Sequence, residues 1–558
     1  MPGHPSARRV PGHEPSVPTG EISGNMHAVE AAPAKFQVPE SPRRVRSWLL
    51  CTLVALLTGC AITCVDGGAE ALPWMAAGCV MSLALALVWM ASAAGLGLWL
   101  GSRMGVRGTA TCACLGAALL MVGDQWIGTL GLLSHGALAP LVTLAPGWWL
   151  LARRSPVIRV ATLPTWSTLP IGVACGTLLA ATMVPAGFLW STEFGGYDAL
   201  SYHLQVPREW LVAGSMRPLE HLAYAGLPNF VEGAFMHLMA LRSDPRDAAI
   251  ACQVLHACML LLAAGTLAET LRLEGVNDWS RGCAGVALLC TPWVIVTSSL
   301  AYSEAGVLLG LALSMSAITL RSRWAGGVAF GLGVGVMVGS KASSITLAAP
   351  AALAWAMVMG RPRIDPRWWI AWIATAAVSL FPWMLRDAWF TASPVFPLLA
   401  SRAGLGWWTP AQAQRWDAAH ASGASLAERV TALWQQWMAF GVGANPREGE
   451  PWRWFWGPLP WIGLASVAVL LATRHWRRLG AALCAMVVLS LGAWMFTTHL
   501  QSRFLLPVAV PLAVASGVAM GMAAAAQQAM RRLAVMVCLC WSLVAAWALM
   551  RDADGRLA

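Results

Sequence analysis

The sequence predicts an all-helical, polytopic membrane protein, and three observations carry that expectation. The chain is 58% hydrophobic and only 11% charged, whereas soluble domains are about half apolar and about a quarter charged. Apolar runs of near-spanning length recur from position 47 to 549, and about 20 helical residues cross a hydrocarbon core of about 30 Å. Arginines punctuate these runs in short loops, as they do in cytoplasmic loops of membrane proteins. Helices are expected because backbone groups in lipid must be satisfied within their own segment.

Taken in order, residues 1–46 are rich in Pro, Gly, Ser and Glu and have no periodic apolar face. They read as a disordered cytoplasmic tail. They are too long and polar for a signal-peptide n-region, so the first helix is expected to remain as an anchor. About four spans follow, at roughly 47–65, 72–100, 108–123 and 137–152, and make an N-terminal membrane module over 47–160. About eleven more form a core over 161–558, at roughly 167–190, 246–270, 282–298, 302–320, 325–340, 342–359, 367–385, 456–473, 479–497, 504–524 and 533–549.

Orientation follows from charge. Arg43, Arg44 and Arg46 precede the first span and place the N-terminus in the cytoplasm. Arg103, Arg107, Arg153, Arg154 and Arg159 mark later inside loops, as do Arg321, Arg323, Arg361, Arg363, Arg367, Arg474, Arg477, Arg478, Arg531 and Arg532. Two long segments, about 191–245 and 386–455, are then exported. The expected location is a bacterial inner (plasma) membrane, with the functional face periplasmic. The net charge of +11 is explained by these loops, and no nucleic-acid-binding motif occurs. All 14 cysteines fall in apolar runs, so no structural disulfide is expected. Cys112 and Cys114 read as small buried hydrophobes.

The stretch "STEFGGYDALSYHLQVPREWLVAGSM" at 191–216 gathers Glu193, Asp198, His203, Arg208 and Glu209. Asp198 can cap a helix over about 199–213, ended near Gly214. Tyr202 falls one turn on, on the same side, and Pro207 kinks or shortens the element. On spacing alone, a capping Asp and an interfacial His account for the stretch. Three cations weigh against that reading: Lys341, Arg386 and Arg503 fall at outer helix ends, where the charge bias does not require them. Snorkelling explains any one of them; together they suit a lipid phosphate. Glu304 is an acidic group at another outer turn, placed to orient a substrate hydroxyl or to pair with a cation. The second exported segment holds Trp407, Trp408, Trp416, Trp434, Trp437, Trp452, Trp454 and Trp456. These read as an interfacial belt, with sugar stacking open for one or two. Within it, "SLAERVTALWQQWMAF" has the spacing of an interfacial amphipathic helix.

"YDALSYHLQVPREWLVAGSM" resembles the first exported loop of GT-C glycosyltransferases, the superfamily of protein O-mannosyltransferases and the aminoarabinose transferase of lipid A. More narrowly it is similar to the family 39-like branch, through a D-x-L-x-Y-H-L pattern. "GLPNFVEGAFMHLMAL", "PWMLRDAWFTASPVFPLL" and "QSRFLLPVAVPLAVASG" extend the resemblance over about 165–525. The chain departs from the pattern in having Ala199 where a second acid often follows Asp198, Ser393 where Asn is usual, and about four additional N-terminal helices. The resemblance implies a polyprenyl-phosphate sugar donor and transfer with inversion to an acceptor hydroxyl on a protein, lipid or glycan. No metal or other cofactor is expected, because cationic side chains can do the electrostatic work. On the residues themselves, Asp198 is the candidate base. Lys341, Arg386 and Arg503 are candidates for the donor phosphate. Glu193, Tyr202, His203 and Glu304 are candidates for positioning substrate. No His/Asp cluster has metal-site spacing. The competing expectations are a transporter or lipid flippase, which needs polar groups near the midplane, and an inactive scaffold of the same architecture.

Overall fold

The computed structural model describes residues 42–67, 70, 72–135, 138–153, 164–187, 189–190, 196–242, 244–360, 365–438 and 455–554. The expected tail lies outside these residues up to position 41, and Pro42 already opens the first helix. Proline suits a first helical position because its missing N–H has no intrahelical acceptor there.

Helices α1 (Pro42–Gly67), α2 (Leu72–Met104), α3 (Thr109–Thr129), α4 (Leu138–Arg153) and α5 (Thr168–Thr182) come first. A π-turn at Ala199–His203 leads into α6 (Gln205–Ala213), followed by α7 (Phe230–Ala240) and α8 (Ala249–Leu273). Helices α9 (Asp278–Leu289) and α10 (Pro292–Ser299) precede α11 (Glu304–Ser316), α12 (Arg323–Ser340), α13 (Ser344–Leu347), α14 (Ala349–Met359) and α15 (Pro366–Thr391). The second long segment carries α16 (Ala400–Ala403), α17 (Pro410–His420) and α18 (Leu426–Leu433). The chain closes with α19 (Leu459–Ala472), α20 (Arg477–Thr497), a 3-10 stretch at Ser502–Val508, α21 (Ala509–Ala526) and α22 (Gln528–Asp554). Among the described residues the one β-type contact is an isolated bridge between Leu219 and Leu222.

Seven of the described helices are long and apolar enough to cross a membrane, or eight when α9 and α10, bent by 61°, count as one. The sequence reading expects about fifteen spans. The difference has a geometric cause. Segments such as Glu304–Thr319 and Leu459–Ala472 are apolar but only 10–17 residues long. At 1.5 Å per residue they are shorter than the hydrocarbon core. The run 282–298, read as one span, breaks at Thr291 and Pro292; the Trp293 N–H donates to the Phe455 carbonyl at 2.8 Å instead. The outward face of α15 exposes Ile370, Ile373, Val378 and Phe381, as a lipid-facing surface does.

Small residues bring the helices together. Gly327, Gly331 and Gly335, spaced four residues apart, form a stripe on α12. A Cβ at the first two would lie 2.5 Å from the Trp368 carbonyl oxygen and 2.6 Å from that of Trp372, both on α15. Close approach of this kind is how helices pack without a hydrophobic driving force. The N-terminal helices share the same packing. Gly108, before α3, has no side chain to cap it, and the Glu269 carboxylate of α8 takes that role. It accepts from Ala110 N at 3.0 Å, Thr111 N at 2.9 Å and Thr111 Oγ1 at 2.8 Å. The described residues belong to one compact unit.

Candidate functional site

Four ionisable side chains, far apart in sequence, meet at one end of the bundle. Arg503 Nη2 donates to Asp198 Oδ2 in an ion pair. Lys341 Nζ donates to Glu304 Oε1 at 2.5 Å. The Phe504 ring joins the pairs: Lys341 Nζ lies 4.2 Å from its centroid and Arg503 Cζ 5.6 Å. Arg503 Cζ also lies 5.4 Å from the Tyr302 centroid, within cation–ring range.

Each position has a local cause. Trp293 and Trp456 donate their indole N–H groups to Ser502 Oγ at 2.9 and 2.8 Å, and Ser502 Oγ donates to the Gln436 carbonyl at 2.6 Å. This anchors the residue before Arg503 from three directions. Glu304 is the first residue of α11, where the helix dipole favours negative charge. Its Oε2 accepts from Ser303 N at 3.2 Å, and the neighbouring Ala305 N–H donates to His256 Nε2 at 2.9 Å. Lys341 ends α12, and the chain turns back through Ser344 N donating to its carbonyl at 2.8 Å.

Asp198 corrects the capping expectation. It has helical angles, φ −63° and ψ −34°, and its side chain caps nothing. The backbone closes a π-turn instead, with Leu204 N donating to the Ala199 carbonyl at 2.9 Å, and leaves the carboxylate to Arg503. π-Turns recur at functional sites. The helix that follows ends as the sequence indicates, at Gly214 with φ 68°, and Pro207 sits in its first turn, where no N–H is needed.

Glu304, Lys341 and Arg503 line a recess together with Ser343 and Ser344. Val307, Leu308, Leu347, Leu506 and Pro507 form its apolar wall. Its lining thus combines one carboxylate and two cations with aliphatic side chains. The side chains of Asp198, Lys341 and Arg503 are 20%, 21% and 13% exposed, and that of Glu304 is 4% exposed.

The remaining expected residues go to different places. Tyr202 stacks on Tyr224 with centroids 4.3 Å apart. Burial first, and the Asp198 charge second, raise both phenols above their ordinary values. His203 is buried between the rings of Tyr202 and Tyr302 and pairs through Nδ1 with Glu232. Its ring is therefore fixed by these two tyrosines and by Glu232. Arg386 is not with the other two cations. It is 1% exposed, and its guanidinium donates to Gln125 Oε1 at 2.5 Å and to the carbonyls of Leu227 and Pro228 at 3.1 and 3.0 Å. It is a strut under the first long segment, and its fixed fork of donors suits that task. Glu193 lies outside the described residues, as do Trp452 and Trp454. Trp416 packs among Trp408, His420 and Tyr224, so it ties α17 to the Tyr202 stack.

Sequence reasoning missed Tyr302, Phe504, Ser343, Glu232, Gln125 and His499. Phe504 adjoins Arg503 and Tyr302 lies two residues before Glu304; Glu232 falls within the quoted segment at 226–241 but was not singled out there, and Gln125 gave no signal, being an isolated polar group in an apolar run. His499 sits 4.9 Å from the Phe504 ring and 6.0 Å from that of His420. Burial, then His420, Arg503 and Lys341, push its imidazole down to about 4. Among the described residues no three His, Cys, Asp or Glu side chains converge as a metal set. Comparison of the chain with protein-family models, curated proteins and solved structures gave no match.

Proposed function

We propose that this chain is a membrane glycosyltransferase that moves a sugar from a polyprenyl-phosphate donor to an acceptor hydroxyl at the exported face, with inversion. The observation that supports it is the meeting of Asp198, Glu304, Lys341 and Arg503 beside a recess with an apolar wall. The resemblance of the 191–216 stretch to GT-C loops points the same way. Asp198 takes the acceptor proton as general base. The acceptor oxygen bonds to the anomeric carbon while the bond from that carbon to the phosphate oxygen breaks. Lys341 and Arg503 offset the charge growing on the departing phosphate. Glu304 holds Lys341 in place, and the apolar wall receives the isoprenoid chain. Arg386 has no part in donor binding. The host membrane in this reading is a bacterial inner membrane with the recess on its periplasmic side.

A transporter or flippase would draw on the bend between α9 and α10. That bend is bordered by Trp293 tilted against Phe455, ring centroids 4.6 Å apart, and among the described residues the ion pair of α9 lies at its first turn, between Asp278 and Arg281, away from the bend. The test compares cell-surface glycans and glycolipids by mass spectrometry with and without the gene, alongside Asp198→Asn. Wild type is expected to add a sugar that is absent from both other strains. Removal of the proposed base should lower transfer by about 10²–10⁴-fold. Identical glycan profiles in all three strains would overturn the reading.

A further inference from the structure

We infer that the donor phosphate itself releases the base: an anionic phosphate seated on Arg503 displaces Asp198 from the guanidinium and turns its carboxylate to the acceptor hydroxyl. This rests on the reading of the recess given under Proposed function.

Both cations that a phosphate needs are already held by carboxylates, Asp198 on Arg503 and Glu304 on Lys341. The two pairs are not equivalent. Glu304 is buried, opens α11, and has its second oxygen engaged by the Ser303 N–H. Asp198 is more exposed and has Arg503 as its one side-chain partner among the described residues. It follows Gly196, which has φ +80°, in a backbone that glycine tolerates without strain. Asp198 is therefore the partner that can leave, and Glu304 the one that stays to hold Lys341.

Charge counting gives the direction. The four side chains sum to zero, and a lipid phosphodiester adds one negative charge. Asp198 holds Nη2 of Arg503, and both bidentate faces of a guanidinium use that nitrogen, so a phosphate gripped by the fork competes with Asp198 for it. The freed carboxylate then accepts the acceptor O–H proton. The new C–O bond forms, the bond between the anomeric carbon and the phosphate oxygen breaks, and the phosphodiester monoanion leaves as a phosphomonoester dianion. The lost Asp198 charge equals the charge gained by the phosphate. When the product departs and Asp198 gives up its proton, the pair with Arg503 re-forms. Donor binding thus precedes base release.

The test measures binding of farnesyl phosphate and of inorganic phosphate to the full-length protein in nanodiscs. Asp198→Asn and Asp198→Ala remove the competitor and are expected to bind farnesyl phosphate about tenfold tighter than wild type. Asp198→Glu, which keeps the charge, should stay near wild type. Unchanged or weaker binding of both probes in a neutral variant that melts like wild type overturns the exchange. Tightening with inorganic phosphate but not with farnesyl phosphate supports the exchange and overturns the lipid as its source. No binding of either probe to any form overturns both the exchange and the reading of the recess. A measurement on wild type alone gives an independent answer. With ¹³C-labelled aspartate carboxylates, farnesyl phosphate should shift one carboxylate band in the infrared difference spectrum, and an unshifted spectrum overturns the exchange whatever the variants do.

Discussion

At the scale of single residues, Arg386 and Arg503 show how one side-chain type serves two ends. Both stand at the ends of apolar runs, and composition does not separate them. Arg386 is fully enclosed and spends its donors on Gln125 and two backbone carbonyls. Arg386→Ala leaves those acceptors buried without donors and should destabilise the fold by about 3–5 kcal/mol, the range for breaking a buried charge network. Thermal unfolding in detergent checks this; a melting temperature equal to wild type would remove the strut. Lys341→Ala leaves the buried Glu304 carboxylate without its ion-pair partner, so it should lower the melting temperature and also weaken farnesyl phosphate binding; undiminished affinity would return Lys341 to snorkelling. His499 supplies a pH test. Its folded value of about 4 lies below the ordinary 6.5, so the folded state favours the neutral ring. The stability this gives is intact above 6.5 and is lost as pH falls through about 4. His499→Gln should therefore flatten the acid side of the stability profile, and a profile superimposable on wild type would count against the assignment. The candidate base, Asp198, was legible from its place after an apolar run. Its partner was not, because the two lie 305 residues apart.

At the scale of elements, the helices were largely legible, since apolar length and Gly/Pro punctuation are local properties. The cap on α3 was not. Gly108 offers no side-chain oxygen, and the sequence gives no reason to look to Glu269 in α8. Glu269→Ala should cost about 1–2 kcal/mol, as loss of a helix cap does, and Glu269→Gln less; equal stability of all three proteins would show that water serves as well. The π-turn at Ala199–His203 was also hidden. "DALSYHL" reads as the start of an ordinary helix, and only the packing of Tyr202 on Tyr224 and of His203 on Glu232 fixes the wider turn. The cap expected of Asp198 failed for that reason: the chain is already helical at that residue.

At the scale of the whole molecule, the charge bias makes a prediction about sidedness. Cysteines introduced singly at 198, 341 and 503 in a background lacking reactive thiols should all label from one side of the membrane, opposite to one placed at 46. Labelling of the first three from different sides would break the site apart. The sequence by itself determined that this is an all-helical chain built for lipid, where its apolar segments lie and which cations stand at their ends. It could do so because hydropathy and charge act on each segment through its immediate solvent. Only the tertiary structure decided which cation meets which carboxylate, that Arg386 is a strut, and that several apolar runs are too short or too bent to cross alone. Those outcomes depend on helices packing across 261 and 305 residues of intervening chain, and no local pattern encodes a partner at that distance.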